Sequence, residues 1–235
     1  MIEDPPLLTM RRHFPRPAPE QVAAFANVPT GHAVDALGGR GALDYRIKPL
    51  EPPPSVIVGV AITCHCGPTD NLGLFGALAE AQPGDILVAA TDQCTVTSIA
   101  GDLLMGMARN RGIKALLTDG LVRDVVGILG VGLPVFCAGV SPDSPARNGP
   151  GSVGMPVVLG GVSIDSGDII VADRDGVVVV PRLRIAAVLK QLEQVRAAES
   201  ALEAKVKDGL EVPDFVRQLL DSGRVVDADE NGTNR

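Results

Sequence analysis

Uninterrupted apolar runs, separated by short turn segments, recur through the middle of the chain and predict a sheet that is buried on both faces. Such runs are typical of strands covered on both sides, whereas apolar residues spaced three or four apart indicate helices. The predicted strands are residues 56–63, 86–90, 113–117, 134–138, 157–164, 169–172 and 177–180. The predicted helices are residues 20–25, a short stretch after Thr30, residues 70–81, a stretch after Gly101, and residues 182–207 and 212–220. Helices alternate with strands at first and strands then cluster, which favours an α/β sandwich with a β-rich centre.

This pattern divides the chain into four parts. We expect a lead at residues 1–19, one α/β domain at 20–181, a helical arm at 182–222 and a polar tail at 223–235, which we expect to be disordered from residue 227. Prolines in the lead prevent a regular helix there. The longest uncharged run, residues 125–142, is interrupted by five glycine or proline residues. It therefore predicts a loop or a short helix, followed by a buried strand, instead of a membrane span.

The charge and composition limit the partners that the protein can have. Its net charge is −7, and only 3% of its residues are aromatic. An acidic surface with few rings for base stacking argues against a nucleic-acid partner, and no apolar span indicates a membrane partner. The first residues are acidic and include two prolines, so they do not resemble a secretory signal. We therefore expect a cytoplasmic protein whose four cysteines stay reduced.

The stretch from Gly101 to Asp124 carries the candidate chemistry. Asp102 is predicted to cap the helix that follows it, so that the free N–H groups of Leu103 and Leu104 form an anion site. The same two leucines, with Met107 and Ala108, form its predicted buried stripe. A returning strand then ends in an Asp119-Gly120 turn and in Arg123-Asp124. The helix start and the loop after the strand can therefore bring two carboxylates, a guanidinium and backbone amides together, a set that suits a small dicarboxylic acid and a divalent metal.

The order and spacing of these motifs resemble a known family. Twenty residues separate Asp102 from the Arg123-Asp124 pair, and the second motif reads Asp-Gly-x-x-Arg-Asp. This is similar to the class II pyruvate aldolases, the 4-hydroxy-4-methyl-2-oxoglutarate / 4-carboxy-4-hydroxy-2-oxoadipate aldolases of the superfamily named after regulator of ribonuclease activity A. The resemblance extends over residues 30–182 through a Pro-Gly-Asp turn at 83–85 and a Val-Val-Val-Val-Pro run at 177–181.

The resemblance implies a swivelling β/β/α sandwich that assembles as a homotrimer or as a hexamer. It also implies a lyase that uses Mg²⁺ or Mn²⁺ to cleave a 4-hydroxy-2-oxo acid to pyruvate and a second oxo acid, with oxaloacetate decarboxylation as a side activity. Asp124 would ligate the metal and Asp102 would hold it through water. Gly101, Leu103 and Leu104 would bind the substrate, and Arg123 would bind it and stabilise the enolate oxygen.

In the same family the C-terminal arm carries a carboxylate that enters a neighbouring subunit's site, and Glu199 occupies the similar position here. Either Glu199 or Asp102 would orient the base that removes the proton from the C4 hydroxyl. The alternative function is a non-catalytic binding protein of the same superfamily, similar to the ribonuclease regulators. About fifty residues follow Pro181, and that long arm favours the aldolase. A methyltransferase is a third idea, but no adenosylmethionine motif is present.

Each candidate also has a purely structural interpretation. Asp102 can be a helix cap alone, Arg123-Asp124 a surface ion pair, and Glu199 part of a solvated helix face. Asp119 is predicted to make a turn, and His13 and His32 to be structural or exposed. Cys64-His65-Cys66 lacks the second ligand pair of a zinc site, so a buried strand with an adjacent histidine is favoured, although its end can affect substrate choice.

Overall fold

A computed structural model describes residues 4–226 of the chain. Its strands are β1 Leu8–Met10, β2 Lys48–Pro49, β3 Ile57–His65, β4 Asp85–Ala90, β5 Ser98–Ala100, β6 Ala115–Thr118, β7 Leu121–Val122, β8 Val135–Cys137, β9 Gly139–Val140, β10 Gly151–Val153, β11 Val157–Leu159, β12 Val162–Ile164, β13 Ile169–Ala172 and β14 Val177–Val180. Its α-helices are α1 Pro19–Ala23, α2 Thr30–Ala36, α3 Leu72–Glu80, α4 Asp102–Asn110, α5 Val125–Val131, α6 Ile185–Lys207 and α7 Asp214–Leu220, with a 3₁₀ turn at Arg182–Arg184. The predicted α/β fold with a long C-terminal helix is confirmed.

The main sheet is built around four parallel strands. Its order is β1-β10-β3-β4-β6-β8-β2, and β13 and β14 join it through β3. β3, β4, β6 and β8 run parallel, whereas β10 and β13 pair with β3 in the antiparallel sense. The pairing of buried parallel strands with antiparallel hairpins explains why helices alternate with strands in the first half of the sequence and strands cluster in the second.

Both faces of the main sheet are covered. Alternate residues of a strand point to opposite faces, so Ile62 and Cys64 of β3 pack with α3 and α4, whereas Ala61 packs with β11 and β12. One face is therefore covered by helices and the other by a β layer. This arrangement is why the strand residues are apolar in continuous runs, without the alternation of a half-exposed sheet.

Ion pairs fasten the N-terminal lead to the sheet, which the sequence pattern did not predict. β1 pairs with β10, and Arg16 donates to both carboxylate oxygens of Asp85 at 2.7 and 2.8 Å. Arg11 donates to Asp165, which also accepts from Arg182 at 2.7 Å. Partial burial raises the pKa of Asp165, but the hydrogen bonds from Arg11 and Arg182 outweigh it and lower that pKa below its ordinary value. The lead thus has a fixed course without needing a helix.

A small second sheet positions the candidate site. β5, β7 and β9 pair in parallel, in the order β5-β7-β9. Gly101-Asp102 follows β5, Arg123-Asp124 follows β7, and residues 141–149 follow β9. Because parallel strands end at the same edge of a sheet, these three segments are delivered to one place.

The described residues divide into two compact units, the first ending at Glu193 and the second beginning at Gln194. The second unit contains the rest of α6 and all of α7. Its exposed large apolar side chains in the single chain include Leu202 and Val206 on α6, and Phe215, Leu219 and Leu220 on α7. None of the helices in residues 4–226 combines the length and apolarity needed to span a membrane. Residues 227–235 of the predicted tail lie outside the described residues.

Candidate active site

The segments that follow β5, β7 and β9 enclose a cavity of about 410 Å³. It contains all six first-unit residues that we predicted to form the site, and α3 and the segment after β9 complete it. Its lining residues are Asn71, Phe75, Ser98, Ile99, Ala100, Gly101, Asp102, Leu103, Leu104, Met107, Arg123, Asp124, Ser144, Pro145 and Arg147. Every predicted site residue except Glu199 is therefore found in one place, since Gly101, Asp102, Leu103, Leu104, Arg123 and Asp124 are all among them.

Two glycines make room for the two carboxylates. A Cβ atom on Gly101 would lie 2.4 Å from Asp124 Oδ2, and a Cβ atom on Gly127 would lie 2.4 Å from Asp102 Oδ2. Real Cβ atoms do not approach an oxygen so closely. Gly101, just before α4, therefore leaves room for the Asp124 carboxylate. Gly127, within α5, leaves room for the Asp102 carboxylate.

The predicted role of Asp102 as the helix cap is wrong. Gly101 occupies the N-cap position with extended backbone, and Asp102 is the first helical residue. Asp102 Oδ1 accepts the backbone N–H of Leu103 at 2.7 Å. The Leu103 N–H is thus bonded to its neighbour's carboxylate and is not the free donor that we predicted. A negative charge in the first turn still interacts favourably with the helix dipole.

The predicted buried stripe of α4 is also partly wrong. Leu104, Met105 and Ala108 are buried, whereas Leu103 and Met107 are 76% and 49% exposed. The helix packs against the main sheet through Met105, which places Leu103 and Met107 at the cavity. The helix itself was predicted correctly, but the wrong face of it was predicted to point inward. The error arose because both faces of this short helix carry apolar residues.

Arg123 is fixed at two of its side-chain nitrogens. Its Nε lies 3.2 Å from Asp124 Oδ2, and its Nη1 donates to Ser144 Oγ. Its backbone N–H donates to Ala100 O at 2.9 Å, which ties the loop after β7 to the end of β5. The guanidinium is partly exposed, so it is held in position without being buried.

Asp124 has a left-handed backbone conformation, with φ 56° and ψ 44°. Few residues other than glycine adopt this region, although aspartate tolerates it better than most. The conformation turns the chain sharply from β7 into α5, where Asp124 is the N-cap residue without a side-chain capping bond. Its carboxylate is therefore directed to Arg123 and not to its own helix, and strain of this kind is common at functional sites.

The segment at residues 141–149, which follows β9, is anchored. Asp70 is buried and accepts the backbone N–H groups of Leu72, Asn148 and Gly149 at 2.8, 2.6 and 3.1 Å. The Ala146 N–H donates to Thr69 O at 2.8 Å, which adds a backbone contact to the same end of the segment. Sequence reasoning missed the lining residues that this arrangement supplies, namely Asn71, Phe75, Ser144 and Arg147. Only the course of the loop in three dimensions identifies them.

The remaining candidates have structural roles or lie elsewhere. Asp119 accepts from Thr91 and Gln93 and so fixes the loop after β4, in agreement with its predicted turn role. Its carboxylate also lines a second cavity of about 360 Å³, whose other carboxylate, Asp44, is paired with Arg46. Glu199 lies on α6 in the second unit, so its part in the site stays a prediction.

Cys64-His65-Cys66 belongs to the end of β3. Both cysteines are buried in the core, and His65 Nε2 lies 3.0 Å from Asp92 Oδ1. The hydrogen bond with Cys66, together with burial, raises the pKa of Cys64 well above its ordinary value. Both thiols pack among the apolar side chains of the core, so packing explains this strand end.

The two cavity carboxylates fit a hard divalent ion. Within residues 4–226 no group of three His, Cys, Asp or Glu side chains is placed to hold a metal. An ion at this cavity would therefore depend on Asp102, Asp124, substrate oxygens and water. Mg²⁺ is commonly bound in this way, through one or two carboxylates with several waters retained.

The steric constraint at Gly127 can be tested by comparison with Gly130, which lies on the same helix. We expect Gly127→Ala to lower the free energy of unfolding by about 1–3 kcal/mol, because its new methyl group overlaps Asp102. Gly130→Ala has open space and should raise that free energy by about 0.5–1 kcal/mol. Urea denaturation of both variants measures the difference, and equal effects would show that the contact with Asp102 imposes no constraint.

Known proteins resemble this chain in sequence and in fold. The family described as RraA-like, Aldolase/RraA, matches residues 30–179. A protein of Halalkalibacterium halodurans, provisionally named a 4-hydroxy-4-methyl-2-oxoglutarate aldolase, is 37% identical over 190 residues, which are 80% of this chain and 90% of that protein.

Two solved structures extend the comparison. Streptomyces coelicolor RraAS2, described as an unusual member of the RNase ES inhibitor RraA protein family, has a TM-score of 0.72 and 28% identity over 81% of this chain and 99% of its own. An uncharacterized protein of Pseudomonas syringae pv. tomato has a TM-score of 0.74 at 24% identity, over 84% of this chain and 93% of its own, and supports the fold alone. By sequence and by fold, this chain belongs to the RraA-like family of aldolases and RraA proteins.

Proposed function

We propose that the protein is a divalent-metal-dependent lyase that cleaves a 4-hydroxy-2-oxo acid with a further carboxylate at C4. The substrate would be 4-hydroxy-4-methyl-2-oxoglutarate or 4-carboxy-4-hydroxy-2-oxoadipate, and the products pyruvate and a second oxo acid. The observation that carries the proposal is the convergence of Asp102, Arg123 and Asp124 in one cavity. The 37% identity to a protein provisionally named as such an aldolase supports the same activity.

In the proposed cleavage, one carbon–carbon bond breaks, the C4 hydroxyl loses a proton and C3 gains one. The C4 hydroxyl loses its proton, the C3–C4 bond breaks, and C4 becomes the carbonyl carbon of the second oxo acid. The electron pair of that bond passes into the pyruvate enolate, which takes a proton at C3 to give pyruvate. Oxaloacetate loses CO₂ through the same enolate, so we propose decarboxylation as a side activity.

Arg123 would stabilise the negative charge that develops on the former keto oxygen. The bonds of its Nε to Asp124 and of its Nη1 to Ser144 hold the guanidinium plane before substrate arrives. A donor fixed in advance does not have to reorganise during the reaction, and this is the main source of electrostatic catalysis. Asp124 thereby has two roles, as a partner of Arg123 and as the proposed metal ligand.

The first turn of α4 would bind the carboxylate of the pyruvyl half. The N–H groups of Leu103 and Leu104 lie at the positive end of the helix dipole, and Gly101 lets the ligand approach the backbone. The Leu103 N–H now donates to Asp102 Oδ1, so it becomes available to substrate only when the Asp102 side chain turns away. We therefore propose that Leu104 is the first contact of the substrate carboxylate.

The proposed ion is Mg²⁺ or Mn²⁺, with Asp124 as its direct ligand and Asp102 holding it through water. When bound, the ion supplies positive charge beside the 2-oxo group and its carboxylate. Asp102, or Glu199 from a neighbouring subunit, would orient the base that accepts the C4 hydroxyl proton.

Self-association into a trimer or a hexamer is part of the proposal. α4 and α5 expose Leu103, Met107, Val126 and Leu129, and the described part of the second unit exposes seven further large apolar side chains. Clustered exposed apolar residues mark protein contact surfaces. A neighbouring copy that covers these side chains would exclude water from the cavity and bring Glu199 to it.

A binding protein without catalysis is the second candidate function. The 28% identity to Streptomyces coelicolor RraAS2, over nearly all of that chain, favours it. A protein of this kind would act by contact and would not release pyruvate.

The decisive experiment is an assay of pyruvate release from 4-hydroxy-4-methyl-2-oxoglutarate and from oxaloacetate. We expect both substrates to yield pyruvate with Mg²⁺ or Mn²⁺, because Asp102 and Asp124 are hard oxygen ligands, and neither to do so after EDTA. Addition of Mg²⁺ should restore the rate. Full activity in EDTA would disprove the metal requirement, and no pyruvate under any condition would favour the binding protein.

Arg123→Ala should lower kcat by about 10²–10³ in cleavage and in decarboxylation alike, because a fixed donor to the developing oxyanion is lost. Arg123→Lys should restore only part of the rate, since a flexible ammonium cannot bridge two oxygens as a planar guanidinium does. Steady-state kinetics on both substrates measure the effect. A change in KM alone, or a loss in only one reaction, would contradict a shared enolate stabilised by Arg123.

Mixed oligomers test whether Glu199 serves a neighbouring site. Asp124→Ala and Glu199→Ala should each be inactive alone, yet their co-expression should restore activity, to about a quarter of the wild-type rate if subunits mix at random. Each restored site would take Asp124 from one chain and Glu199 from another. As a control, Asp124→Ala mixed with Arg123→Ala should stay inactive, because both changes affect the same half of the site. No recovery in the first mixture would mean that Glu199 does not act across subunits.

A further inference from the structure

The cavity has an α3 side that the proposed pyruvate chemistry does not use. It consists of Asn71, the N-cap residue of α3, Phe75 on α3, and Arg147 from the segment after β9. The proposed contacts to the metal and to the pyruvyl half come from the other lining residues, on α4 and in the loops after β5 and β7. The α3 side is therefore the part of the cavity that remains for the other half of the substrate.

Arg147 is the cationic group of this side. Its Cζ lies 5.3 Å from the centroid of the Phe75 ring, so the guanidinium is held by a cation–π contact. Among the described residues no carboxylate forms an ion pair with Arg147. By contrast, Arg123 is bonded to Asp124 and Ser144. Arg147 therefore has donors available for an anionic group of a ligand, and its planar fork matches a carboxylate.

The backbone that carries Arg147 is fixed on both sides of it. Asp70 accepts the N–H groups of Asn148 and Gly149, and the Ala146 N–H donates to Thr69 O. The Ala146 carbonyl in turn accepts from the Asn71 N–H at 3.1 Å. The residues that flank Arg147 are thus joined to the start of α3, and a binding group mounted in this way is preorganised.

Asn71 adds an independent indication of a ligand. Its side chain is 4% exposed and its Nδ2 donates to Ile99 O at 2.9 Å. This bond fixes the orientation of the amide, because only its NH₂ end, and not its oxygen, can donate to the Ile99 carbonyl. Asn71 Oδ1 is buried and has no hydrogen-bond partner among the described residues. Asn71 itself lines the cavity, and a buried acceptor without a donor on such a residue is suited to a ligand that brings a hydroxyl group.

We propose that Arg147 is the residue that determines substrate specificity, by binding the carboxylate on C4 of the substrate while Asn71 Oδ1 accepts a hydrogen bond from the C4 hydroxyl. The inference rests on the proposed lyase function and names the residue that selects its substrate class. Arg147 touches no bond that forms or breaks in the cleavage. Replacing it should therefore change kcat/KM for substrates with a C4 carboxylate and leave kcat/KM for substrates without one nearly unchanged.

Two substrates that differ at C4 test the assignment. Pyruvate release is measured from 4-hydroxy-4-methyl-2-oxoglutarate, which has the carboxylate, and from 4-hydroxy-2-oxopentanoate, which lacks it. For Arg147→Gln we expect kcat/KM to fall about 10–100-fold on the first substrate, mainly through KM, and less than about 3-fold on the second. Arg147→Lys should recover part of the loss. Arg174→Gln makes the same charge change at an exposed position outside the cavity lining and should alter neither substrate.

The outcomes distinguish the role of Arg147 from the proposed lyase function. An equal loss on both substrates, or no loss on either, would overturn the role of Arg147 while the lyase function stood. Absence of pyruvate from both substrates with the wild-type protein would overturn the lyase function and this inference with it.

Discussion

The site depends on how closely the start of α4 approaches the start of α5. Gly101 faces the Asp124 carboxylate and Gly127 faces the Asp102 carboxylate, each with no room for a Cβ atom. Each glycine thus leaves room for the acidic side chain at the start of the other helix. A side chain in place of either glycine would displace the carboxylate that faces it from its position at a cavity of about 410 Å³. Steric space, more than hydrogen bonding, thus determines where the charges lie.

The rest of the fold supports this contact. The small β5-β7-β9 sheet delivers three loops to one edge, and the buried main sheet gives α4 a rigid surface through Met105. The left-handed conformation of Asp124 turns the chain at the point where its carboxylate is needed for Arg123. Buried Asp70 has a similar role for the segment after β9, because its carboxylate accepts three backbone N–H groups. Two aspartates at the cavity are exposed enough to bind a ligand, whereas Asp70 is used for structure.

A lyase and a binding protein would need different features of this fold. Arg123 is held by Asp124 and Ser144 at the cavity, and a protein that acts only by surface contact does not need this geometry. The exposed apolar side chains of α4, α5 and the second unit, on the other hand, suit either function, because both an oligomeric lyase and a binding protein need contact surfaces. The chemistry of the cavity is therefore the feature that favours the lyase.

The sequence by itself determined the α/β class, the buried strands, the long C-terminal helix and the grouping of Asp102, Arg123 and Asp124, because each follows from local periodicity or from motif spacing. It did not determine the N-cap of α4, the exposure of Leu103 and Met107, the strand in the lead, or Asn71 and Arg147 as cavity residues. A short helix with apolar residues on two faces has no unique inward side until a sheet is placed against it. A loop rich in serine and proline likewise has no fixed course until Asp70, more than seventy residues earlier, binds its backbone. Those contacts join distant parts of the chain, and only the tertiary structure decided them.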